Sequence, residues 1–117
     1  MVERLQIGPR MSQVVIHKDT VYLSGQIADQ PLGGIAEQTA SVLAKIEKLL
    51  GDAGCTRSDL LSVTVLLPHI ADFDAMNAVY DRWIDPSNPP SRACYEARLA
   101  DPNLRIEITA IAARGGA

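Results

Sequence analysis

Residues Pro89 to Glu96 read "PPSRACYE", placing an arginine just behind a pair of prolines, at the start of a segment that alternates as a strand does. A guanidinium is planar, keeps its charge when partly buried and binds a carboxylate through two parallel N–H bonds, so Arg92 is a candidate anion hook. The competing reading is a solvated or ion-paired strand arginine. Glu107, in the next strand-like segment, is a candidate to supply a proton or orient a water. Its competing reading is a salt bridge to Arg92, Arg98 or Arg105. By the two-residue period of a strand, Arg92, Cys94, Glu96 and Arg98 point one way and Ala93, Tyr95, Ala97 and Leu99 the other. With the second set expected on the core side, Arg92 and Glu107 are expected to share the opposite face, unless a bulge intervenes.

Other chemistry-bearing residues carry weaker signals. His17 and His69 lie near element ends and read as surface or capping histidines. Ser24-Gly25 lacks the GxSxG elbow of a serine nucleophile, and Gly33-Gly34 lacks both phosphate-loop spacings. Asp72 and Asp74 read as capping and solvating a helix start. No metal is indicated, because no HExxH, calcium-loop or zinc spacing occurs. Cys55 and Cys94, distant in sequence, read as reduced thiols.

These residues need a scaffold. "SQVVIHKDTVYLSGQI" predicts a hairpin, with strands at about residues 12–17 and 20–27. From Ile35 to about Ala53, apolar residues recur at helical spacing through Val42, Leu43, Ile46, Leu49 and Leu50, with Gly51 and Gly54 ending the helix. "LLSVTVLL" (60–67) reads as a strand covered on both sides. A second helix follows, N-capped by Asp72, with Phe73, Met76, Val79, Tyr80 and Trp83 on its buried stripe. Two strands at about 91–99 and 104–113, joined through "ADPN", are expected as an antiparallel hairpin. The order ββαβαββ predicts two helices on one face of a mixed sheet. Leu66 and Ile111 would leave apolar surface on the uncovered face, which predicts an oligomer.

A chain of 117 residues is expected to form a single domain over 1–117. Its apolar share of 47% and charged share of 21% are those of a soluble globular protein, and no run reaches the roughly 18 apolar residues of a membrane span. The N-terminal stretch lacks a secretory pattern, so the cytoplasm is expected. A net charge of −3 disfavours nucleic-acid binding through phosphate neutralisation.

Taken together, "VYLSGQIA", "FDAMNAVYDRW", "PPSRACYEARL" and "LRIEITAIAA" resemble the RidA/YjgF family of small enamine and imine deaminases, across nearly the whole chain. The resemblance implies a chorismate-mutase-like ββαβαββ fold, assembled as a homotrimer with ligand clefts between subunits. It implies that Arg92 grips a substrate carboxylate and that Glu107 positions or activates water. Ser24, Gly25 and Asn77 would line the cleft, and Cys94 would lie beside it. The implied reaction converts a 2-enamino or 2-imino acid to a 2-oxo acid and ammonia, without a cofactor. Gly8-Pro9-Arg10 stands where many members have Gly-Pro-Tyr, and the segment between Gln26 and Gln38 is short, two features that resemble the YoaB-like branch. Arg10 would then bring a second cation to the cleft mouth, unless it pairs with a carboxylate of its own oligomer. Alternative functions with the same Arg92 are a noncatalytic carboxylate-binding or chaperone-like trimer and, less in keeping with the charge, a ribonuclease or translation inhibitor.

Overall fold

The computed structural model describes residues 1–115. Its strands are β1 (Val2–Ile7), β2 (Ser12–His17), β3 (Thr20–Gln26), β4 (Leu60–Leu67), β5 (Ser91–Glu96) and β6 (Glu107–Ala113). Its helices are α1 (Ile35–Asp52) and α2 (Phe73–Trp83), with single 3-10 turns at Arg57–Asp59 and Ile70–Asp72. The strands form one mixed sheet in the order β1-β2-β3-β6-β4-β5, parallel only between β4 and β5. Both helices lie on one face, giving an α+β fold with a second sheet face left uncovered.

Helix α1 forms as its sequence period demands, burying Val42, Leu43, Ile46, Leu49 and Leu50. At its start, the Glu37 carboxylate accepts the Gly34 N–H at 2.9 Å. At its end, Gly54 takes φ +81, and the Gly54 and Cys55 N–H groups donate to the Gly51 and Leu50 carbonyls. That left-handed glycine turns the chain toward the sheet. The stripe of α1 meets Val14 and Ile16 of β2, Val21 and Leu23 of β3, Val63 and Val65 of β4, and Ile108 and Ala110 of β6 in one core with Met76 and Tyr80 of α2.

Three sequence expectations are corrected. Strand β1 has no counterpart in ββαβαββ: its residues are nearly all exposed, with Leu5 alone packing on the core, so it exists by pairing with β2 rather than by its own apolar pattern. The two C-terminal strands are not a hairpin. β5 pairs with β4 in parallel because α2 carries the chain back along the sheet, and β6 inserts between β3 and β4. Between two partners, β6 buries Ile108, Ala110 and Ala112 in the core, while the alternate residues Glu107, Thr109 and Ile111 on its other face stay half-buried.

Asp72, expected to cap α2, makes no side-chain cap bond. It clamps Arg105 instead: Arg105 Nε donates to Oδ2 at 3.1 Å and Nη2 to Oδ1 at 2.9 Å. The buried Gln38 of α1 accepts the Arg105 N–H at 2.8 Å and donates to the Asn103 carbonyl at 3.0 Å. These bonds fix the link between β5 and β6, and so the register at which Glu107 enters the sheet.

Candidate functional site

The parallel register sets Arg92 beside Val63, Cys94 beside Val65 and Glu96 beside Leu67. Those three β4 residues are buried under the helices, so Arg92, Cys94 and Glu96 are on the helix face and the exposed Tyr95 is on the uncovered one. This reverses the orientation expected from sequence. The physical reason is the composition of α2: Phe73, Asn77 and Tyr80 form a face that accommodates a guanidinium and its alkyl stem, while the small Cys94 packs on the core.

The Arg92 guanidinium is held from three sides. Nη1 donates to Asn77 Oδ1 at 2.7 Å, and the guanidinium carbon lies 4.7 Å from the Tyr80 ring centre and 5.8 Å from that of Phe73. Among the described residues no carboxylate lies within ion-pair distance of it. A guanidinium has five N–H donors, so most remain free for an anion. Burial raises the pKa of the Cys94 thiol while the Arg92 cation opposes that rise; burial likewise raises the Tyr80 phenol against the Arg92 cation, with the Asp81 charge adding to the rise.

Glu107 stands on the uncovered face, opposite in sense to its neighbour Ile108 in the core. A bulge at Ser24 and Gly25, between the paired residues Leu23 and Gln26, brings β3 against it. A Cβ on Gly25 would lie 2.2 Å from Glu107 Oε2, so only glycine leaves the carboxylate its place. None of the salt bridges expected for Glu107 forms: Arg92 lies on the other face and Arg105 is engaged by Asp72. Ser24 Oγ donates to Gln13 Oε1 at 2.8 Å.

Within one chain the expected site residues therefore fall into two groups. Arg92, Asn77 and Cys94 belong to the helix face at the β5 edge. Ser24, Gly25 and Glu107 belong to the middle of the sheet on its other side. β4 separates the strands of Arg92 and Glu107, about 10 Å at ordinary strand spacing. Arg10, exposed in the turn closed by the Gly8 N–H on the Met11 carbonyl, lies at the β1–β2 end of the sheet. Four strand spacings, about 19 Å, separate β2 from β5, so Arg10 cannot meet Arg92 in the same chain. The sequence reading did not identify Phe73 and Tyr80 as walls for Arg92, although with Asn77 they recur at i, i+4 and i+7 on one helix face. It also gave Gln13 and Gln26 no role.

Among the described residues, cavities of about 700, 360 and 410 Å³ lie between the helices, around His69 and Arg98, and beside Gln13 and Gln26. Arg92 and Glu107 line none of the three. Among the described residues no group of three or more histidine, cysteine, aspartate or glutamate side chains is placed to hold a metal, and no helix is long and apolar enough to cross a membrane.

A family model described as Endoribonuclease L-PSP matches residues 2–114. The chain belongs to the RidA/YjgF family. A RidA/YjgF relative from Escherichia coli K12, the RutC family protein YoaB, is 35% identical, covering 96% of this chain and 97% of its own. A human relative, 2-iminobutanoate/2-iminopropanoate deaminase, is 38% identical, covering 93% of this chain and 82% of its own. The solved structure of NMB1025, a YjgF family member from Neisseria meningitidis, superimposes with a TM-score of 0.97 at 35% identity, covering all of this chain and 98% of that one. The RidA/YjgF fold thus accounts for the sheet order, the two helices and the uncovered face together.

Proposed function

We propose that the protein is a 2-enamine/2-imine deaminase, working without a cofactor at sites formed between the subunits of a homotrimer. The observation that carries this reading is the Arg92 guanidinium, oriented by Asn77, Tyr80 and Phe73 and free of any carboxylate among the described residues. The name of the human relative supports the reaction class, and the uncovered sheet face supports assembly. On that face Tyr22, 44% exposed, pairs with Ile111, and Tyr95, 59% exposed, pairs with Leu66, leaving apolar area that a second copy would bury. Assembly would also bring the Glu107 group of one subunit to the Arg92 group of another.

Arg92 binds the substrate carboxylate, and Asn77 keeps the guanidinium aimed. An enamine such as 2-aminoacrylate takes a proton at carbon and becomes the imine. Water then adds to the imine carbon, and the resulting carbinolamine loses ammonia to give the 2-oxo acid. Glu107 and a bound water handle these protons, with Ser24, Gly25 and the backbone at Cys94 lining the cleft. Reactive imines of this class arise in amino-acid metabolism, and we place the protein in the cytoplasm, where it removes them. The net charge of −3 argues against the RNA chemistry that the family model's description names.

The test generates imino acids in place with an amino-acid oxidase, while semicarbazide traps the imine in competition with hydrolysis. The wild type is expected to lower semicarbazone formation and Arg92→Ala to leave it unchanged. No effect of the wild type across neutral, aromatic and acidic imino acids would replace catalysis with carboxylate binding alone.

A further inference from the structure

The hydroxyl of Ser24 has a polarity fixed by its neighbours. The Gln26 side chain, only 4% exposed, approaches the Ser24 backbone carbonyl at 3.0 Å. A carbonyl oxygen has no proton, so the Gln26 atom facing it is the amide nitrogen Nε2. The same Nε2 lies 2.8 Å from the Gln13 side chain, which must therefore present its oxygen. That oxygen, Oε1, lies 2.8 Å from Ser24 Oγ. The one proton available between these two oxygens belongs to the serine. Ser24 thus donates inward to Gln13, and the 3.3 Å approach of Gln26 Nε2 to Ser24 Oγ adds a second inward contact, a weak donor against the hydroxyl oxygen. Toward a ligand, Ser24 has a lone pair to offer and no proton.

We propose that the Gln13–Gln26 amide pair fixes Ser24 as a hydrogen-bond acceptor, selecting ligands that carry N–H at the carbon beside the carboxylate over ligands that carry oxygen there. This rests on the deaminase reading, in which Ser24 lines the cleft. A protonated imine substrate has the favoured N–H, whereas the 2-oxo acid product presents a carbonyl oxygen that meets the Ser24 lone pair and is repelled. The pair of glutamines acts through Ser24 and is a positioning device that favours substrate over product.

Alanine and pyruvate have the same number of heavy atoms and differ in an ammonium against a carbonyl oxygen at this carbon. Their affinities for the purified oligomer are measured by calorimetric or NMR titration, and the readout is the ratio of the two. Gln13→Met frees the Ser24 hydroxyl to rotate, and the ratio is expected to move toward pyruvate by about fivefold, the worth of one neutral hydrogen bond. Gln13→Glu keeps an acceptor facing both Ser24 and Gln26 and is expected to retain the wild-type ratio. Should Gln13→Met fail to fold, Ser24→Ala supplies the same comparison, because it removes the acceptor and lowers the preference for alanine. An unchanged ratio in the folded variants, with both ligands still lost in Arg92→Ala, overturns the role of the glutamines and leaves the deaminase site standing. Affinities that do not depend on Arg92 overturn both.

Discussion

Arg92 and Glu107 lie on opposite faces of one sheet, with β4 between their strands. One chain cannot apply both to one small substrate, so catalysis by this pair requires two copies. Mixed oligomers test this directly. Arg92→Ala and Glu107→Gln are each expected to be inactive alone, and co-refolded at equal amounts they are expected to regain about a quarter of wild-type activity, because random assembly pairs an intact Arg92 with an intact neighbouring Glu107 at that frequency. Semicarbazone trapping measures it, and the absence of any recovery would contradict a site that takes Arg92 and Glu107 from two subunits.

Gly25→Ala puts a methyl group where Glu107 Oε2 now sits. The carboxylate is on the uncovered face and has room to swing away, so the fold is expected to survive while activity falls on the order of 10²-fold. Thermal unfolding and imine trapping, run on the same preparation, separate the two effects. A variant with full activity would remove Glu107 from the chemistry.

Asp72→Asn removes the charge that holds Arg105. Asp72 is nearly buried but Arg105 is a third exposed, so the loss is expected to be about 1–2 kcal/mol, below the cost of breaking a fully buried pair. A shift of the urea midpoint at constant slope reads it.

The Cys94 thiol is predicted to react slowly. Burial opposes the thiolate, so the folded pKa lies above the ordinary thiol value and the thiol stays protonated at neutral pH. Alkylation by iodoacetamide should rise only as pH climbs beyond the range in which free cysteine ionises. Arg92→Ala removes the cation that opposes this rise, and its profile should shift to still higher pH. A shift to lower pH would contradict the charge assignment.

Arg10→Ala tests substrate preference. The exposed Arg10 has no ion pair among the described residues, and in the proposed trimer it would bring a second cation to the cleft mouth, able to attract a side-chain carboxylate. The variant is expected to lose several-fold in rate on imino acids from glutamate or aspartate and to keep its rate on neutral ones. Equal losses on both would assign Arg10 to assembly.

The sequence by itself determined the elements that follow from local periodicity. α1, α2, β2, β3 and β4 were legible because apolar spacing of 3.6 or 2 residues reports burial on one or both faces. The candidate site residues were legible as residue types, Arg92 behind its prolines and Glu107 in its strand, and their roles rest on the resemblance over the whole chain. Only the tertiary structure decided the rest. β1 is held by its partner and has little apolar signal of its own. The orientation of β5 depends on its parallel register with β4, and the alternation of Arg92, Cys94 and Glu96 with Ala93, Tyr95 and Ala97 fits either face equally well. Asp72 sits at a cap position and serves Arg105, across 33 residues of chain. Such choices are made between segments distant in sequence, where a hydrogen bond or a packed face depends on which strand arrives beside which.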